Sequence, residues 1–301
     1  MGKHTYGSAV TIFHRWRRIW EKGSQDPEDL EYMWEAVRNI ELENEEEARK
    51  YNRYIRYECQ KAMRKCKDIV KNKKFYMLYQ KTLLFDARRD FDAFCLYIES
   101  GRDPSKQFYL PRRQILYPVV SDLNKLYTGE LELLSLSMPP GVGKSTLGIF
   151  FLVWVMMRDP LKPNLAVGHS SKLVKSFYKG ALEILTEPEY LPYDVFPASE
   201  VVSTSAEDLS VDLKRNKRYP TLTCRSIEGS LTGVTRTENL LYADDLVSGI
   251  EVAMSKDRLE TLWYRYTNDL RNRKKKGARE LHIATRWSVH DVIGRLEMYH
   301  A

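Results

Sequence analysis

The chain has no stretch of about 18 uncharged apolar residues, the length a helix needs to span a bilayer. Its longest apolar run, Leu147 to Met157, is far shorter, so no membrane association is expected. Cysteine is scarce as well. Four residues, Cys59, Cys66, Cys95 and Cys224, in 301 positions exclude a disulfide scaffold and point to a reducing compartment. Cys59 and Cys66 stand two helical turns apart, but the short-spaced Cys or His pairs of a zinc site are missing, so packing is the expected role. The first residues, with His14, Arg15, Arg17 and Arg18 around Trp16, lack the apolar core of a signal peptide. No internal repeat is evident.

What is present is charge, unevenly spread. The net charge of +7 is moderate, with an acidic block from Glu41 to Glu47 and basic stretches from Lys61 to Lys74 and from Arg271 to Arg279. Such asymmetry permits contact with nucleic acid, although a solvated helix face explains any single run. The length accommodates one large α/β domain and a smaller helical part.

Residues 1–100 read as a charged helical region. Asp26-Pro27 starts a helix, with Asp26 as cap and Pro27 in the first turn, and Leu30, Trp34, Val37 and Ile40 form its apolar stripe. A second helix is expected from Asn44, where Glu47 can complete a capping box, with Tyr51, Ile55, Cys59, Ala62, Cys66 and Ile69 as its stripe. A third is expected from Phe75 to Glu99, stopping at Ser100-Gly101. No chemical constellation appears there, and docking or assembly is its plain role. Arg102 to Gln107 reads as a linker into a helix that ends near Tyr127.

The remainder, 101–301, reads as alternating strands and helices, the pattern of a mostly parallel sheet covered on both faces. Its centre is Met138-Pro139-Pro140-Gly141-Val142-Gly143-Lys144-Ser145-Thr146, between one apolar run from Leu131 and another to Met157. Strand, glycine turn and helix in that order form a phosphate-binding loop. Gly141 and Gly143 let backbone N–H groups curl around phosphate oxygens; Lys144 brings charge to the β and γ phosphates; the Ser145 hydroxyl can ligate Mg²⁺. The pattern lacks its usual first glycine, since Met138 stands there. Upstream, Gln114 can read an adenine edge with its amide, and Tyr109 is an aromatic that could stack on the base.

Further strands are expected at Asn164 to Gly168, Tyr219 to Cys224, Leu240 to Ala243 and Leu281 to Thr285. Helices are expected over Ser171 to Leu185 and Val252 to Asp269, with Glu228 to Gly233 a flexible turn. The third of these strands runs into Asp244-Asp245. Beside a phosphate loop the first carboxylate can hold the Mg²⁺ shell next to Ser145, and the second can orient or deprotonate a water. The last strand ends in Thr285-Arg286-Trp287, a hydroxyl and a guanidinium that could sense hydrolysis.

Taken together, Gln114, Pro139 to Ser145, Gly229 to Gly233 leading to Asp244-Asp245, and Thr285-Arg286-Trp287 with Asp291 and Gly294-Arg295-Leu296 resemble the large terminase subunit of tailed bacteriophages. The resemblance covers roughly Tyr109 to Leu296. It implies a P-loop NTPase fold of the RecA-like ASCE type with an N-terminal helical extension, and an ATPase that packages double-stranded viral DNA. Implied ligands are ATP and Mg²⁺. Gln114, Pro140, Gly141, Val142, Gly143, Lys144, Ser145 and Thr146 would hold nucleotide, and Ser145 and Asp244 the metal. Asp245, Lys144, Thr285 and Arg286 would act in hydrolysis and coupling. Implied partners are a portal protein and a small terminase subunit, with the chain in a homo-oligomeric ring, in the host cytoplasm and transiently at the procapsid portal. The family's nuclease domain is expected to be absent from this chain.

Many family members carry an arginine inside the phosphate loop, where Gly141 and Val142 stand here. A charge-stabilising arginine is then expected from elsewhere, with Arg158, Arg236 and Arg286 as candidates or a neighbouring subunit as source. Lys274, Lys275 and Lys276, with Arg271, Arg273 and Arg279, are candidates for touching DNA phosphates. Two other functions share part of this pattern: a helicase-like translocase, which needs a second motor domain, and a nucleotide-dependent assembly switch with little turnover of its own.

Overall fold

A computed structural model describes residues 6–229 and 236–300. The chain divides into two compact units, Met1–Ser100 and Gly101–Ala301.

The first unit is helical: α1 (Tyr6–Glu21), α2 (Pro27–Ile40), α3 (Glu45–Lys65), α4 (Ile69–Ala87) and α5 (Phe91–Ile98). The helix starts follow the capping residues. The Asp26 carboxylate accepts from Glu28 N, with Pro27 in the first turn, and the Asn44 side-chain oxygen Oδ1 accepts from Glu47 N at 3.1 Å. The expected capping box is only half made, because the Glu47 carboxylate accepts instead from the hydroxyls of Tyr6 and Tyr51. Ile69 does not continue the α3 stripe. The helix ends at Cys66, Asp68 caps the next one by accepting from Val70 N and Lys71 N, and Ile69 is left 85% exposed. The helix expected from Phe75 to Glu99 is likewise two, because Asp90 caps α5 by accepting from Ala93 N. Phe13, Leu30, Met33, Val37, Ile40, Ile55, Cys59 and Phe75 form the core. All four cysteines are free.

The second unit is α/β. Helix α6 (Tyr109–Thr128) precedes β1 (Leu133–Ser137), α7 (Lys144–Arg158), β2 (Asn164–Gly168), α8 (Ser171–Thr186) and the short α9 (Pro192–Val195). Then follow β3 (Val201–Ser205), β4 (Ser210–Leu213), β5 (Leu222–Ser226), β6 (Leu240–Asp244), α10 (Ile250–Ala253), α11 (Lys256–Arg265), β7 (Arg279–Ala284) and α12 (Val292–His300). The strands make one mixed sheet of order β1-β7-β6-β2-β5-β4-β3. The first five are mutually parallel, and β4 and β3 extend the sheet antiparallel beyond β5. That hairpin has no counterpart in the sequence expectations. Ser- and Thr-rich β3 is largely exposed along its length, so it carries no apolar alternation to read. Helical character from Val252 breaks at Met254, where Ser255 caps α11, and the helix closes in a wider π turn over Tyr266–Leu270.

Side chains alternate across β6. Leu241 and Ala243 join Leu165, Val167, Leu259, Leu262, Tyr266, Val292 and Leu296 on the face covered by α11 and α12. Tyr242 projects to the other face, against Phe177 of α8 and Gly148 of α7. Helix α7 is buried from Phe150 through Met157, as expected for a crossover helix lying on the sheet. Register places the carboxyl ends of the parallel strands in one row. Ser137 pairs with Ala284, Ile283 with Asp244, Asp244 with Gly168, and Gly168 with Ser226. Ligands of open parallel sheets bind beyond that edge.

Candidate functional site

The turn from β1 into α7 is built on two left-handed glycines, Gly141 at φ +84° and Gly143 at φ +91°. A Cβ on Gly143 would overlap the ring of Phe108, so here both the backbone conformation and the space demand glycine. Gly141, Pro140 and Thr146 are exposed, whereas Val142, Gly143 and Ser145 are half-buried. Lys144 opens α7 and is buried. Its ammonium turns to polar groups at the end of β7. Its Nζ donates to Thr285 Oγ1 at 2.6 Å and lies 3.6 Å from Asp245 Oδ1. Thr285 N donates to the same Oδ1 at 3.0 Å, and Asp245 N donates to Ile283 O at 2.9 Å. Lys144, Asp245 and Thr285, up to 141 residues apart in sequence, thus meet at the carboxyl edge because β7 lies between β1 and β6.

Asp245 takes φ +42°, a left-handed conformation in a residue with a side chain. That costs about 1–2 kcal/mol, which the surrounding hydrogen bonds must offset. His169, just past β2, supplies one of them, with its Nδ1 2.7 Å from the Asp245 carbonyl oxygen.

Asp244 is fully buried at the end of β6. The Tyr242 hydroxyl donates to its Oδ2 at 2.7 Å, while Oδ1 has no hydrogen-bond partner. Burial raises the carboxyl to about 6, against the Tyr242 and Ser145 hydroxyls, which favour its charged form. The Tyr242 ring is seated over Gly148, where a Cβ would overlap it. A glycine in α7, a tyrosine in β6 and the Asp244 carboxylate therefore form one packed chain.

The other expected residues fall as follows. Gln114 is exposed on α6. Tyr109 is fully buried and offers no face to a base, which corrects the stacking expectation; the aromatic against the loop is its neighbour Phe108, packed on Gly143 and Phe150. Arg112, one turn on, brings its Cδ within van der Waals distance of a Cβ on Gly143 and donates to Phe108 O. It stood beside Gln114 in sequence without attracting a role, since nothing local marks that α6 abuts the loop. Arg286 is half-exposed and paired with Glu297 of α12 at 2.7 Å. Arg158 stacks on Tyr127 at the far end of α7, about 21 Å from Lys144 at 1.5 Å per residue, too far to act at the loop of its own chain. Arg236 is exposed. Ser230 to Gly233 lie outside the described residues.

Asp291 is structural. Its carboxylate accepts from Trp287 N, Ser288 N and Gly294 N, tying the turn after β7 to the start of α12. A Cβ on Gly294 would stand 2.6 Å from Val289 O, so that turn needs glycine for close approach. The basic segment lies at the opposite, amino edge of β7. Arg271 and Lys274 pair with buried Glu280, Lys275 pairs with Glu238, and Arg279 stacks on Tyr127 and donates to Asn239. Lys276 is exposed.

Among the described residues no group of three or more His, Cys, Asp or Glu side chains could hold a metal ion by itself, and no helix is long and apolar enough to cross a membrane. No family model matches the chain, and neither does any curated protein.

Proposed function

We propose that this chain is a P-loop ATPase of the RecA-like ASCE type that hydrolyses Mg·ATP and drives translocation of double-stranded DNA, as the ATPase part of a large terminase subunit would. The observation that carries the reading is the meeting of Lys144, Asp245 and Thr285 at one sheet edge, beyond a turn of two left-handed glycines. A strand inserted between the loop strand and the acidic strand brings this about.

The residues present fit a magnesium-bound nucleotide. Gly141 and Gly143 free backbone N–H groups to face phosphate, and the start of α7 adds its dipole. Asp244 Oδ1 is a buried, unpartnered acceptor with Ser145 beside it. Mg²⁺ usually takes one or two protein oxygens and completes its shell with water and phosphates, so a denser acidic cluster is not required. When bound, it neutralises charge building on the β and γ phosphate oxygens. Lys144 would exchange the Thr285 hydroxyl for phosphate oxygens. Asp245, held by Thr285 N, would accept the proton of a water aligned on the γ phosphate. Thr285, released by Lys144, would relay the nucleotide state through the residues after β7 to the Asp291-capped turn. DNA as the load rests on the order and spacing of motifs that the chain shares with terminases.

The positions of Arg158 and Arg286 favour a second reading for the chain by itself, a nucleotide-binding switch with little turnover. Arg158 is remote, and Arg286 is held by Glu297. Steady-state ATP hydrolysis measured against protein concentration, with and without duplex DNA, separates the two. Turnover that rises with concentration and is abolished by Lys144→Ala and Asp245→Asn supports the motor. Binding without turnover at every concentration supports the switch, and absence of nucleotide binding overturns both.

A further inference from the structure

Asp245 is held in its left-handed conformation from three sides. Two of the holds come from β7, through Ile283 O and Thr285 N. The third comes from a different strand, where His169 follows β2 and meets the Asp245 carbonyl at 2.7 Å. A carbonyl oxygen can only accept, so Nδ1 carries the proton and the imidazole is the donor. His169 is itself fixed by β5, since Ser226 Oγ donates to its carbonyl at 3.1 Å. Gly168, Asp244 and Ser226 are in register across the sheet, so the contact joins the carboxyl ends of three adjacent strands.

The two β7 bonds anchor the amide and the carboxylate of Asp245, but they leave its own carbonyl free to swing about ψ. In the left-handed region Cβ crowds the following carbonyl oxygen, so a hydrogen bond to that carbonyl helps to hold the conformation. Relaxation would turn the carboxylate away from the space beside Lys144 and Thr285. We infer that His169 is a positioning residue, whose Nδ1–H holds the Asp245 carbonyl and so keeps the catalytic carboxylate aimed. The inference rests on the reading of Asp245 as the group that takes the proton from water.

The full chain tests it with three substitutions. In His169→Ala, kcat for ATP should fall about tenfold to a hundredfold, the scale of a misaligned reacting group. KM, and the binding of a fluorescent ATP analogue with Mg²⁺, should stay within about twofold, because the phosphate cradle is untouched. His169→Asn places an amide N–H where Nδ1 stood and should restore kcat to within about threefold of the parent. His169→Gln, one carbon longer, should not. If the ring matters only for packing, the smaller asparagine rescues nothing and the inference is overturned. Equal loss in kcat/KM and in nucleotide binding, or an alanine variant with parental kcat, overturns it too.

A second measurement does not depend on turnover. Nitrogen NMR of the imidazoles in the full chain should show His169 protonated at Nδ1, and a bare Nδ1 would overturn the clamp. If the parent chain shows no Lys144-dependent hydrolysis, the ATPase reading fails and takes the catalytic purpose of the clamp with it, while the tautomer still decides whether the clamp exists.

Discussion

At the residue scale the sharpest consequence concerns Asp244, a carboxyl buried at a cost. Its ordinary value of 3.8 is raised to about 6 in the fold, chiefly by desolvation. A raised acid stabilises the native state below 3.8, where both states are protonated. That stability is lost as pH rises towards 6, because the unfolded chain sheds the proton first. The difference amounts to about 3 kcal/mol. Urea unfolding without Mg²⁺ should therefore show this loss between pH 4 and 6, and Asp244→Asn should remove it. At pH 7 the asparagine variant should be more stable than the parent by about 2 kcal/mol while losing Mg²⁺-dependent nucleotide binding, a trade of function against stability. Gly148→Ala reaches the same carboxylate from behind. Its methyl group would drive the Tyr242 ring off its seat and take the hydroxyl from Oδ2. Destabilisation of about 1–3 kcal/mol should appear in thermal unfolding, together with a higher Mg²⁺ requirement for nucleotide binding.

At the scale of elements, β7 has two ends with different duties. Its carboxyl end supplies Ile283 O and Thr285 to Asp245. Its amino end carries Glu280, which is fully buried and accepts from Tyr266, His282 and Lys274. Burial by itself would raise this carboxyl, but His282, Tyr266 and Lys274 favour its charge and bring it down to about 2. The sign is opposite to that of Asp244. The stabilisation is present above the ordinary value of 4.5 and is lost as pH falls towards 2, about 3 kcal/mol in all. Glu280→Gln should leave two cations and a histidine around a neutral group and cost about 3–5 kcal/mol in denaturant unfolding at pH 7. Lys274 accordingly belongs first to the fold. Lys274→Ala should lower stability, whereas replacing exposed Lys276 should not; weaker DNA binding from Lys276→Ala, without loss of stability, would mark that loop as a phosphate contact.

At the scale of the molecule, each unit has its own core, one of helices and one around a sheet. Units with separate cores are expected to unfold as separate transitions. Calorimetry of the whole chain should resolve two, and Mg·ATP at a hundred times its Kd should stabilise only the one belonging to residues 101–301, by about 2.7 kcal/mol. A single transition that moves as a whole would show the units to be energetically one.

Local signals in the sequence determined the helix starts at Asp26 and Asn44, the glycine turn before Lys144, and the strands at Asn164 and Leu240. Caps, turns and periodicity act over a few residues, so they are written in neighbouring letters. They also misled where two local rules competed. Ile69 fitted the stripe of one helix, but Asp68 started another. Tyr109 lay in the expected segment, yet burial went to it and the place beside the loop to Phe108. Tertiary structure alone decided strand order, and strand order sets β7 between β1 and β6, where Lys144 finds Thr285 and Asp245. It alone revealed His169, an ordinary residue after an ordinary strand, whose importance lies in a carbonyl 76 positions away. It also took Arg158 out of reach and tied Arg271, Lys274 and Lys275 of the basic segment to Glu280 and Glu238. The sheet assembles these distant groups through hydrogen-bond register and side-chain packing, and neither has a signature in any short stretch of the chain.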